Sequence, residues 1–338
     1  MMFDNVSIIG LAHVDAEHII TSASIEEQLA PVMEKLKMRP NIIQGLTGIK
    51  ERRFWDTDVQ PSEVATQAAV RALENANLDR SKIGVLVNTS VCKDYIEPSI
   101  ASLVHGNLKL SSDCMNFDIG NACLAFLNGM EIVGNMIERG QIDYGMIVDG
   151  EGSRYVVEKT IERLLQSDCD EKIFRENFAT LTLGSGAVAM ILAHKNLAPD
   201  GHRFLGGVSV AATEHNRLCL GQREQMTTEA SKLLVVGIEL AAKTYAKAKE
   251  QMHWNDKQIN ELILHQVSAN HTMKLSEALQ LDLSKIFAIY PEFGNIGPAA
   301  IPITLSKSAE AGRISKGDRV ALMGIGSGLN CSMMEVIW

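Results

Sequence analysis

The chain predicts an α/β fold in which one architecture is used twice. Short apolar runs alternate with amphipathic stretches of helical length, the pattern of strands and helices around a mostly parallel sheet. The order of these elements in the first half returns in the second, at an offset of roughly 175 residues. That is too long for a solenoid and suits duplication of a whole domain. The 338 residues, 46% of them hydrophobic, suffice for two domains or one large duplicated one.

The elements follow in order. Glu63 to Ala76 has helical spacing, Asn77 to Lys82 reads as a polar turn, and Ile83 to Val87 as a strand ending at Asn88-Thr89-Ser90. Met115 to Ile119 is a short apolar run that reads as a buried strand. The Gly120-Asn121 turn leads into a helix that closes at Arg139-Gly140. Tyr144 to Val148 is the next strand. In the second half Ala230 to Gln251 reads as a long helix, His253 to Gln258 as a polar turn, and Leu262 to Leu264 as a strand ending at His265-Gln266. Gly294-Asn295, a helix and Gly312-Arg313 then lead to a strand over Arg319 to Met323. The polar, turn-rich stretch from Ala193 to Gly207 is the expected seam, giving halves 1–200 and 201–338. The charged, helix-like segment 149–177 has no counterpart and reads as an insertion near a dimer or substrate face.

Composition excludes several classes. The net charge is −9 and no basic stripe is visible, which argues against a nucleic-acid partner. The six cysteines are scattered, without a C-x-x-C pair. In an acidic chain with no signal-like start, this reads as reduced and cytoplasmic. No apolar run approaches the ~18 residues of a membrane span. The histidines show no metal-ligand spacing, so no metal is expected.

Cys123 falls where the Met115–Ile119 strand turns into a helix. Unpaired N–H groups and the positive helix end favour a thiolate there, the species that nucleophilic acyl transfer needs. A small core cysteine would occupy the same place. His265 and Asn295 are read at the same kind of position, the C-terminal edge of a strand, where α/β folds bind ligands. His265 is expected to exchange protons near neutral pH, and Asn295 to hold a carbonyl or enolate oxygen through its amide. Either could equally be a satisfied structural group. The order Cys, His, Asn also occurs in papain-like peptidases. Their C-G-[SA]-C-[WY] signature is absent and the strand–helix duplication does not suit them.

Taken together, Asn121-Ala122-Cys123-Leu124-Ala125-Phe126, His265-Gln266, Gly294-Asn295-Ile296-Gly297-Pro298-Ala299 and Gly324-Ile325-Gly326-Ser327-Gly328 resemble the thiolase superfamily, in its ketosynthase III branch. The likeness runs nearly end to end. Within the branch, Leu11 to Ala16, Asn88-Thr89-Ser90, Asp94 to Ser99 and Gly326 to Met333 resemble the long-chain acyl-CoA condensing thiolases of bacterial olefin biosynthesis. The resemblance implies a thiolase fold with a duplicated αβαβα five-layer core, a tight homodimer, and coenzyme A thioesters as substrates without a further cofactor. It implies an acyl thioester on Cys123, oxyanion donors from the backbone N–H of Cys123 and Ser327, and a second oxygen held by His265 and Asn295. Possible partners are downstream olefin-biosynthesis enzymes. The Gly324-x-Gly326-x-Gly328 run is not a dinucleotide loop: too little chain follows for a βαβ unit, and a tight turn into a last strand suits it better.

Glu97 sets the subclass. Ketosynthase III enzymes that extend with malonyl-ACP obtain their carbanion by decarboxylation and carry an apolar residue at the matching loop. Glu97 departs from that pattern. In the acyl-CoA condensing thiolases the matching glutamate crosses the dimer interface as general base. Desolvation beside an acyl channel would raise its pKa toward the working range. Read without the family, Glu97-Pro98-Ser99 is an ordinary helix start with Pro at N1. Asp94 and Tyr95 read as structural. The expected reaction is a non-decarboxylative head-to-head Claisen condensation of two long-chain acyl-CoAs to a 2-alkyl-3-ketoalkanoic acid. Two long chains need two apolar channels, and the 15 methionines would suit adaptable walls or an ordinary core. The alternatives are a decarboxylating 3-oxoacyl-ACP synthase III, a non-catalytic thiolase-fold subunit and a 3-hydroxy-3-methylglutaryl-CoA synthase.

Overall fold

In the computed structural model every residue except Met1 and Asp256 is described. The first residue of the chain and one residue of the expected turn His253–Gln258 therefore lie outside the described residues. Nine strands form one hydrogen-bonded sheet. They are β1 (Val6–Asp15), β2 (Val85–Asn88), β3 (Met115–Asp118), β4 (Tyr144–Glu151), β5 (Gly186–His194), β6 (His202–Ala211), β7 (Glu261–Leu264), β8 (Arg319–Gly326) and β9 (Asn330–Ile337). Their order across the sheet is β7-β8-β9-β6-β1-β5-β4-β2-β3. The sequence of pairings on one side is the other's in mirror order. β2 lies parallel to β4, and β4 antiparallel to β5. Likewise β7 lies parallel to β8, and β8 antiparallel to β9. The short antiparallel pairing Ser7↔Arg203 and Ile8↔His202 joins the two sides.

Alternation along the strands explains the layers. Val188, Met190 and Leu192 of β5 belong to the central core, together with Ile263, Leu322 and Val336 from the other side. Two helices fill that centre: α3 (Ala125–Glu138), through Phe126, Met130 and Val133, and α8 (Ala300–Glu310), through Ile301 and Leu305. The intervening residues Ala187, Ala189 and Ile191 face outward onto α1 (Pro61–Asn75) and α2 (Ile100–Leu108). On the other side Leu262, Ala321 and Met333 face α6 (Ala230–Gln251) and α7 (Ala269–Leu279). Period-two alternation thus buries both faces of each half-sheet and yields helix, sheet, helix, sheet, helix.

Three expectations need correction. β3 is not a buried strand: it is an edge strand with Met115 and Phe117 exposed. An apolar run fits a strand whose face awaits another surface as well as one already covered. The stretch 149–177 is not wholly an insertion. Asp149, Gly150 and Glu151 end β4, and two helices, α4 (Arg154–Leu164) and α5 (Glu171–Asn177), follow before β5. The helix expected to start at Pro98 starts at Ile100, where Ser99 is the N-cap and its hydroxyl accepts the Ser102 N–H at 3.2 Å.

Candidate active site

A cavity of about 1260 Å³ opens at the C-terminal ends of the strands. Cys123, His265, Asn295 and Ser327 all line it, and Glu97 does not. Its walls are largely apolar: Leu36, Met38 and Phe174 line one part, and Leu233, Leu234 and Ile325 another. This is larger than the few hundred to ~1,000 Å³ of common small-molecule sites.

Cys123 sits on a sharp elbow. Ala122, just before it, adopts φ +46° in the left-handed region, which costs free energy for a residue with a side chain. A 3-10 turn, Ala122–Leu124, then feeds α3. Asn330 donates its amide to Asn121 Oδ1 at 3.1 Å and so ties the elbow to β9. Gly326 passes so close that a β-carbon there would stand 3.0 Å from the Asn121 carbonyl and the Leu124 nitrogen. The glycine run at the end of β8 thus serves close approach to the nucleophile turn, followed by the hairpin into β9.

The electrostatics differ from the sequence expectation. Burial pushes the Cys123 thiol up to about 12, and the nearby Cys219 and Glu151 add to the effect. The helix end alone had suggested a thiolate, but desolvation outweighs it. His265 was expected to titrate near neutrality. Burial, helped by neighbouring His271, lowers it to about 3. Burial thus favours the neutral form of both groups over a thiolate–imidazolium pair. His265 follows β7 directly and its N–H donates to the Met323 carbonyl at 2.9 Å. Gln266 fastens the next turn, accepting the Ile289 N–H at 2.8 Å and donating to the Phe287 carbonyl at 2.6 Å.

Asn295 does not end a regular strand, as had been expected. The chain makes one parallel bridge, Leu262↔Ile286, then a short helix, Tyr290–Phe293, before reaching it. The Asn295 N–H donates to Thr182 and its carbonyl accepts from Gly184, each at 2.9 Å. Its Oδ1 accepts the Gly297 N–H at 3.0 Å, which leaves the amide NH₂ as the free donor. A neutral imidazole and an amide at one cavity wall can hold a carbonyl oxygen whose negative charge grows during reaction.

Glu97 lies on the loop between β2 and α2 and is exposed, as are its neighbours Tyr95 and Ile96. The apolar surroundings expected for it are not found within its own chain. Sequence reading missed Asp149 and Glu151, both buried, Glu151 in the cavity wall, whose pKa values burial lifts above the usual carboxylate range. The signal was available, since two carboxylates, Asp149-Gly150-Glu151, stand at the end of a strand that opens onto the site.

Comparison with known proteins agrees with this geometry. The family described as 3-oxoacyl-[acyl-carrier-protein (ACP)] synthase III C terminal matches residues 250–338. The acyl-CoA:acyl-CoA alkyltransferase of Xanthomonas campestris pv. campestris is 52% identical, over 100% of both chains. That of Shewanella oneidensis is 37% identical, again over 100% of both. A cysteine-to-serine form of Xanthomonas campestris OleA, solved with bound lauric acid and lauroyl-CoA, superimposes with a TM-score of 0.98 at 51% identity, covering 99% of this chain and 100% of that one. Other solved forms of that protein replace one glutamate or one histidine. With a five-layer core of the thiolase type and half of its residues shared from end to end, the chain belongs to the acyl-CoA:acyl-CoA alkyltransferases, ketosynthase III-like acyltransferases of the thiolase fold.

Proposed function

We propose that this chain joins two long-chain fatty acyl-CoAs head to head in a non-decarboxylative Claisen condensation, giving a 2-alkyl-3-ketoalkanoic acid. Cys123 attacks the first thioester; its sulfur–carbon bond forms, its proton is passed on, and coenzyme A leaves as a thiol. The second acyl-CoA binds with its thioester oxygen on His265 and Asn295. The partner subunit's Glu97 removes an α-proton, and the carbanion attacks the acyl group on Cys123. The carbon–carbon bond forms as the Cys123 thioester breaks, with the tetrahedral oxyanion held by the backbone N–H groups of Cys123 and Ser327. Hydrolysis of the remaining thioester releases the second coenzyme A.

One observation carries the reading: a carboxylate, Glu97, stands exposed on a loop whose Tyr95 and Ile96 line the cavity, yet it is itself outside that lining, in a chain whose edge strand β3 is bare. Ile96 is 99% exposed, and Met115 and Phe117 of edge strand β3 are exposed as well. Large exposed apolar residues next to an unpaired edge suit a homodimer in which two such edges meet. The cysteine, glutamate and histidine replaced in the Xanthomonas protein are spaced along that chain as Cys123, Glu97 and His265 are here, which supports their roles. No helix among the described residues is long and apolar enough to cross a membrane. We place the reaction in the cytoplasm, with coenzyme A thioesters as the only small molecules required. Enzymes of olefin biosynthesis are the consumers this product implies. The decarboxylating synthase shares Cys123, His265 and Asn295 but has no use for a carboxylate base. Incubation with one saturated long-chain acyl-CoA and no malonyl donor tests the proposal. A β-keto acid, or its decarboxylated ketone, is expected. Free fatty acid alone, or an acyl-enzyme that waits for malonyl-ACP, would overturn it.

A further inference from the structure

The loop 89–99 carries Glu97 outward, and its root is fastened to the end of β4. Thr89 donates its hydroxyl to Asp149 Oδ2 at 2.6 Å, and Ser90 Oγ accepts the Gly150 N–H at 2.8 Å. Glu151 then takes two successive N–H groups on its two oxygens: Val91 on Oε1 at 2.6 Å and Cys92 on Oε2 at 3.2 Å. Beyond the root, Lys93 pairs with Asp118 at 2.6 Å, and Asp94 accepts the Ser62 N–H at 3.0 Å. Tyr95, Ile96, Glu97 and Pro98 form the exposed tip, Tyr95 and Ile96 at the rim of the cavity and Glu97 outside its lining. A charged carboxylate is costly to bury unless its bonds repay the cost. Glu151 is 4% exposed, and the side-chain chemistry of the proposed condensation does not use it.

We infer that Glu151 is the positioning residue of the base-carrying arm: its carboxylate fixes the Val91–Cys92 turn and thereby sets where Glu97 enters the partner subunit's cavity. This rests on the proposed role of Glu97 as a base acting across the dimer. Two N–H groups aligned on one carboxylate give a directional anchor that a single acceptor does not reproduce. The arm is short, so a small rotation at its root displaces its tip. A misplacement of about 1 Å at a reacting group costs on the order of 100-fold.

Glu151 also has a local role to be distinguished. It lines the cavity with Cys123, and a β-carbon on Gly297 would stand 3.6 Å from its carboxyl carbon. Mixed dimers separate the two. In Glu151→Gln, condensation is expected to fall at least tenfold more than acylation of Cys123, with Glu151→Ala worse than Glu151→Gln. A dimer of one Glu151→Gln subunit and one Cys123→Ala subunit, purified through two different tags, then has one site with an intact thiol. That site receives Glu97 from the subunit whose own Glu151 is intact. About half of wild-type condensation per dimer is expected. The control pairs Glu97→Ala with Cys123→Ala and also restores about half if Glu97 acts across the interface. If the control recovers and the Glu151→Gln mixture stays at the level of its own homodimer, Glu151 acts on its own cavity and the inference is overturned. If the control fails to recover, the base assignment itself is wrong and the arm has no purpose. An equal fall of acylation and condensation in Glu151→Gln also overturns it, as does no fall in either.

Discussion

The N–H of Gly184 donates to the carbonyl of Asn295 at 2.9 Å, and this contact holds the amide at the cavity wall. It is possible only because neither strand of chain carries a side chain at the crossing. A methyl group on Gly184 would run into the Phe293 carbonyl. One on Gly294, which has φ +66°, would stand 2.5 Å from the Thr182 carbonyl.

Gly184→Ala is therefore expected to push the Asn295 turn off its support. Overpacking of this kind costs about 1–3 kcal/mol. The urea midpoint should fall accordingly, and condensation should fall further than the lost stability explains, because Asn295 moves with the turn. Unchanged condensation in a folded Gly184→Ala protein would show that the crossing does not set the amide.

The neutral state of Cys123 and His265 makes a kinetic prediction. A thiol held at about 12 by burial exposes little thiolate at neutral pH, and only thiolate alkylates. Iodoacetamide labelling of Cys123, read by peptide mass spectrometry, should rise about tenfold per pH unit from 7 to 10 without levelling. A plateau below pH 8 would reveal a thiolate–imidazolium pair that this arrangement lacks.

Glu97→Ala should separate the half-reactions. Acylation of Cys123 by acyl-CoA should persist, while condensation should fall by on the order of 10²–10⁴, the usual worth of a positioned base. Loss of acylation as well would mean that the arm shapes the thiol's own pocket.

Buried ionisable groups act on stability in opposite senses. His265 and His271 are lowered by burial to about 3 and 4. The unfolded chain takes up their protons first, so stability is lost as pH falls below the free value of about 6.5. Glu151 is raised by burial to about 7, so the folded chain takes up its proton first. Its contribution grows as pH falls from 7 toward the free carboxylate value and offsets the histidines. Asp149 beside it is raised by burial too and acts in the same sense, so Glu151→Gln removes one part of that offset. Between pH 7 and 5 its stability should drop more steeply than the wild type's, by up to about 2 kcal/mol. Parallel curves would mean that the folded chain's extra proton on this carboxylate pair does not depend on Glu151.

Local pattern carried much of the architecture. The helix read over Ala230–Gln251 is found with those ends, because its helical periodicity runs unbroken between a polar start and a polar turn. The strand ends beside Cys123 and His265 were visible for the same reason. What depended on three-dimensional burial was not. β3 reads as a core strand because an apolar run does not say which surface will cover it. The Cys123 thiol was misjudged because the helix end is a local feature, whereas its desolvation is set by the whole fold, and the further upward push comes from residues as distant in sequence as Cys219. Asp149 and Glu151 went unnoticed because carboxylates are usually exposed, and only the fold shows that backbone and hydroxyl donors of loop 89–99 meet them inside.

The most direct test of head-to-head condensation follows carbon. The protein would be incubated with one saturated long-chain acyl-CoA labelled with ¹³C at the carboxyl carbon, without malonyl donor, and products read by mass spectrometry. The expected β-keto acid carries two labels; on losing CO₂ it gives a ketone labelled at its carbonyl, with the second label in the gas. Labelled fatty acid as the sole product, or condensation only after unlabelled malonyl-ACP is added, would contradict the account.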